Sequence, residues 1–178
     1  MQDCRSISSI QLIERTKLKA SEFVGRLRST QVEEEIASSL HKMSPEESFR
    51  FIVELVDVHE LVALELAKRT LRKKQHLVQL LEFGLLKANA SSMRWWLEAV
   101  IPQLGVRRVI SELMSRVDTH PKGVSRSYYF LTRWVTKSDD KGRDSLERLH
   151  AALDVRGLLR KPNVVKNSDG SISLNPIE

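Results

Sequence analysis

The sequence predicts an all-α fold, and three observations carry that reading. Apolar residues recur at helical spacing along most of the chain, with no sustained alternation outside the last residues. Gly and Pro are scarce, 7 and 5 of 178 residues, and long runs are rich in Leu, Glu, Lys and Arg, all good helix formers. An eight-residue pattern also occurs three times, as Phe49-Arg-Phe-Ile-Val-Glu-Leu-Val56, Met93-Arg-Trp-Trp-Leu-Glu-Ala-Val100 and Tyr128-Tyr-Phe-Leu-Thr-Arg-Trp-Val135. Spacings of this size are typical of stacked helical hairpins.

The first helix is expected over residues 9–27, where Ile13, Ala20, Phe23, Val24 and Leu27 recur near the helical period. Thr30 and Glu33 form a capping-box signature ahead of Val32, Ile36 and Leu40. Ser44-Pro45-Glu46-Glu47 is the clearest helix start. Ser44 can accept from the orphan N–H groups, Pro45 lacks the donor that would be wasted at the first position, and Glu47 completes the box. That helix is expected to end near Val56, with Asp57 as N-cap of a helix over residues 58–73.

A further apolar segment, Leu77 to Leu86, contains Gly84, a residue that costs about 1 kcal/mol against Ala and points to a close helix contact. Asn89-Ala-Ser-Ser92 reads as a turn and cap before the Trp95-Trp96 helix. Pro102 is expected to end that helix and open the next, whose stripe is Val106, Val109, Ile110, Leu113, Met114 and Val117. Asp118 to Gly123 reads as a loop, residues 124–135 as the third aromatic helix, and Lys137 to Asp140 as the start of a last helix fading near Gly157. The total is about nine antiparallel helices with short connections. In the tail, Val164-Val165-Lys166 and Ser171-Ile-Ser-Leu174 flank an Asp-Gly pair, the signature of a β-hairpin, with a disordered tail as the alternative. Residues 1–160 are thus expected to form one helical repeat domain and 161–178 a tail.

The repeat offsets place a break after each aromatic octet, the layout of αα-hairpin repeats. Here the sequence resembles the HEAT and armadillo-like α-solenoids. The resemblance rests on Val106-Arg107-Arg-Val-Ile110-Ser-Glu-Leu-Met114, similar to a HEAT second helix, with Gln103 where that family has Asp. Over roughly residues 44–158 it implies degenerate αα-hairpins stacked as a right-handed superhelix, a scaffold used for binding.

Charge is unevenly placed along the chain. Residues 31–60 carry 2 basic and 8 acidic side chains, whereas residues 61–137 carry 14 basic and 5 acidic ones. An acidic block followed by a basic body suits an anionic partner. No uninterrupted apolar stretch is long enough to cross a bilayer, and the first residues lack the layout of a secretory signal. With one cysteine, Cys4, no intramolecular disulfide and no Cys-based zinc site is expected, and cytoplasmic placement is the default.

Catalytic constellations are not evident. The histidines at 41, 59, 76, 120 and 150 lack ligand spacing, and Asp57, His59 and Glu60 point in different directions on a helix. Glu54 and Glu98 follow Arg50 and Arg94 by four residues, which reads as surface ion pairing. Trp95 and Trp96 read as core. No metal, cofactor or catalytic residue is therefore assigned. The basic groups remain: Lys68, Arg69, Arg72 and Lys73 on the polar face of one helix, and Arg126, Tyr129 and Arg133 at i, i+3, i+7 on another. An outward Tyr between two arginines can hold a carboxylate or phosphate. The function expected is a non-enzymatic scaffold binding a protein with an acidic surface. Nucleic-acid binding is the alternative, and an enzyme of unknown class the third.

Overall fold

The computed structural model of the protein describes residues 30–135, 139–159, 164–166 and 172–174. The helix expected over residues 9–27, Cys4 and the Asp-Gly turn of the tail lie outside the described residues. Seven helices stand among them: α1 (Thr30–His41), α2 (Pro45–Thr70), α3 (Lys74–Lys87), α4 (Met93–Leu104), α5 (Val106–Met114), α6 (Pro121–Leu131) and α7 (Asp140–Val155). Two short strands, β1 (Val164–Lys166) and β2 (Ile172–Leu174), pair antiparallel with Val164 opposite Leu174.

α2 starts where the sequence places it. Ser44 is extended (φ −62°, ψ 152°), its Oγ accepts from Glu47 N at 3.2 Å, and its own N–H donates to the Glu47 carboxylate at 3.0 Å. The expected break near Asp57 occurs two residues later. Asp57 turns its carboxylate outward to Lys87 on α3, so it is not a cap, and the helix runs on to a sharp bend at His59 (φ −148°, ψ 78°). Lys73, past the end of α2, pairs with Glu46 in its first turn. The half of α2 beyond the bend therefore carries the chain back toward its own start.

Three cross-contacts then advance in step: Glu46 with Lys73, Phe49 with His76, and Asp57 with Lys87. The first half of α2 and α3 thus lie side by side in the same direction. Trp96 Nε1 donates to Glu60, and Gln103 Nε2 donates to Lys68 O at 2.8 Å, which aligns α4 with the second half of α2 in the same sense.

Pro102 does not end its helix. It sits in the last turn of α4, where its missing donor removes one bond near an end that already lacks partners, and the chain turns at Gly105 (φ 81°, ψ 144°). Pro121 likewise starts α6 earlier than expected, at its first position, which brings Gly123 into the helix. The third octet consequently straddles the end of α6 at Leu131, followed by turns in which Arg133 N and Trp134 N donate to Phe130 O and Leu131 O. Of that octet only Leu131 is buried, whereas Phe51, Ile52, Leu55 and Val56 of the first and Trp96, Leu97, Ala99 and Val100 of the second are.

One continuous apolar core runs from Ile36 and Leu40 on α1 to Leu149 and Leu153 on α7. Trp96 is its largest member and fully buried, with its ring on Gly84 of α3; Trp95 is partly buried against the same core. Met114, expected in the stripe of α5, is exposed, while Val109, Ile110, Leu113 and Val117 are buried. No helix among the described residues is long and apolar enough to cross a membrane.

Candidate binding groove

A recess of about 590 Å³ forms an open groove where the end of α1 meets the end of α2. Glu34, Ala37, Ser38 and His41 line it from α1, Lys42 from the turn that follows, and Arg69 and Arg72 from the α2 side. At neutral pH three fixed cations face one carboxylate.

The geometry of Arg72 differs from the sequence expectation. α2 ends at Thr70, because Leu71 is extended (φ −74°, ψ 128°) and buries its side chain. Arg72 and Lys73 thus do not share a helical face with Lys68 and Arg69. Arg72 instead folds back on the helix end. Its Nη1 donates to Lys68 O at 3.3 Å and Leu71 O at 3.2 Å, and its Nη2 to Arg69 O at 2.8 Å. A cation here favours the negative end of the helix dipole and satisfies carbonyls with no partner in the helix. The same bonds hold the guanidinium still. A guanidinium has five N–H donors, so some remain for a ligand in the groove.

Lys73 is directed away to Glu46, whose carboxyl it holds below the usual value. Lys68 is exposed on α2. Among the described residues the Lys42 ammonium, unlike that of Lys73, is in no ion pair with a carboxylate.

The second expected group is not assembled as a stripe. Arg126 is partly buried and its Nη1 donates to Ala88 O at 2.7 Å, capping the end of α3. Tyr129 is half exposed, edge-on to Tyr128 with ring centroids 6.0 Å apart. Arg133 lies beyond the end of α6, where the chain no longer keeps helical spacing. Beside them Tyr128, Arg143, Leu146, Glu147 and His150 line a smaller recess of about 250 Å³ between α6 and α7. Burial first, then Tyr129, pushes the Tyr128 hydroxyl above its ordinary value.

Glu34, Ser38, His41 and Lys42 were not singled out in the sequence, although spacing puts Glu34, Ser38 and His41 on one polar stripe of α1, opposite Ile36 and Leu40, with Lys42 just past its end. The stripe is legible; that it faces Arg69 and Arg72 is not. No group of three or more His, Cys, Asp or Glu among the described residues stands where it could hold a metal ion. Glu98 accepts from Arg94 Nε at 2.7 Å, the surface pair expected. Comparisons with protein-family models, curated proteins and solved structures find no match to this chain.

Proposed function

We propose that this chain is a non-enzymatic interaction module, a short HEAT-like stack of helical hairpins that holds an acidic segment of another protein in the α1–α2 groove. The observation that carries the reading is the groove itself: Lys42, Arg69 and a guanidinium fixed by three carbonyls around one open recess. A donor already held in place loses little freedom when a carboxylate arrives, so more of the contact energy becomes affinity. The in-step contacts of α2 with α3 and α4 support the stacked-hairpin part of the reading.

Protein is favoured over nucleic acid by how the cations are used. Much of the basic body is paired: Lys87 with Asp57, Arg94 with Glu98, Arg108 with Glu112, and Arg116 with Glu82 and Glu112. At the groove itself Lys42 and Arg72 stand beside the single carboxylate of Glu34, a short mixed patch that suits a carboxylate-bearing peptide better than a continuous phosphate track.

The test is fluorescence anisotropy with a labelled Asp/Glu-rich peptide against wild type and a Lys42→Glu, Arg69→Glu double variant. We expect saturable binding weakened at least about tenfold, or about 1.4 kcal/mol. Equal affinity of the two proteins would remove the groove from the interface. Tighter binding of an oligonucleotide than of the peptide would move the reading to nucleic acid.

A further inference from the structure

His76 is the one described residue with a buried side-chain nitrogen that has no hydrogen-bond partner. It lies in the first turn of α3, 6% exposed, and its Nδ1 is unpaired. Its ring lies nearly flat on Phe49 of α2, with centroids 4.6 Å apart and planes at 12°. That contact belongs to the seam along which α3 runs beside the first half of α2. Ion pairs close the seam at both ends, Glu46–Lys73 near His76 and Asp57–Lys87 at the far end.

A neutral imidazole tolerates this position at the cost of one unmade hydrogen bond. An imidazolium does not, because it would bring a full charge and a second donor into an apolar stack. Its place at the positive end of α3 adds to the penalty. Burial and Lys73 hold His76 below its ordinary value of 6.5, and Glu46 acts in the opposite sense but is itself clasped by Lys73. Among the described residues, these two are the charged groups that act on it, Glu46 from α2 and Lys73 from the start of α3.

We propose that the seam between α2 and α3 is an acid-released joint, with proton uptake by His76 as its trigger. When the first turn of α3 lifts from Phe49, the imidazole reaches water and accepts a proton it could not hold in the stack. Opening therefore takes up a proton. The seam's full strength is present above pH 6.5, the ordinary histidine value, and declines as pH falls through the lower value of the closed state. Glu46, held below the usual carboxyl range, keeps its charge over that interval, so the stack yields before the neighbouring ion pair.

Hydrogen exchange at pH 7.5 and 5.5, corrected for intrinsic exchange chemistry, tests this on the whole chain. For wild type the opening equilibrium of the first turns of α3 should rise by up to about tenfold, the limit set by one unit below an ordinary histidine value. Amides around Trp96 and Leu97 in α4 should not follow. A His76→Phe variant, which keeps the stack and removes the titration, should lose the pH dependence. The same dependence in that variant would overturn the proposal. So would a wild-type NMR titration in which the His76 imidazole protonates at or above the ordinary value; that measurement decides alone if the variant does not fold.

Discussion

At the scale of single residues, two glycines set how closely helices approach, and they differ in what they touch. A Cβ at Gly84 would stand 2.8 Å from Cε3 of the fully buried Trp96. A Cβ at Gly123 would stand 2.3 Å from the carbonyl oxygen of Leu85 and 2.7 Å from its Cα, which are backbone and cannot rotate aside. Gly→Ala in a helix gains about 1 kcal/mol in propensity, while overpacking a tight site costs about 1–3 kcal/mol. We expect Gly84→Ala to lose up to about 2 kcal/mol net, as the indole shifts. Gly123→Ala should lose more, because α6 must back away from α3 and release the Arg126 bond to Ala88 O. Urea unfolding midpoints give the order; a Gly123→Ala protein as stable as wild type would contradict the close approach. Gly84 was legible in the sequence because an apolar helical run offers few other reasons for a glycine. Gly123 was not, because after Asp118-Thr-His-Pro a glycine reads equally well as loop.

At the scale of elements, helix starts were more legible than helix ends. Ser44, Pro45 and Glu47 act within one turn, so their chemistry is written in consecutive residues, and both arms of the capping box form. Ser44→Ala should cost about 1 kcal/mol of unfolding free energy, within a range of about 0.5–2. Glu47→Ala added to it should cost less than it does alone, since the box is reciprocal. A denaturant series on the two single variants and the double variant checks both; strict additivity would mean the two arms act independently. The ends depend on distant partners. Asp57 fails as a cap because Lys87 lies opposite, thirty positions along, and Pro102 stays helical because Gly105 supplies the turn three residues later. Arg72 reads as a helical residue until the buried Leu71 before it directs the chain out of α2.

At the scale of the molecule, the all-helical class and most of the core stripes were legible, since helical period and burial have the same cause. The groove was legible only in halves. A polar stripe on α1 and a basic pair on α2 are each visible in the sequence, but their meeting depends on how α1 packs on α2. The count of basic residues misled in a related way: a stretch of net +9 suggests a polyanion partner, yet folding places carboxylates from the acidic block beside two of its cations, Asp57 at Lys87 and Glu46 at Lys73. Exposed pairs of this kind contribute little to stability, but they lower the field that a phosphate backbone meets. We therefore expect weak duplex and single-strand binding despite a sequence pI near 9.6. Any retardation in a low-salt mobility shift should vanish near physiological ionic strength, with a log–log salt slope of about two phosphates or fewer at about 0.9 per phosphate. A slope of about six or more would require an extended cation track and place nucleic acid, not an acidic peptide, on this surface.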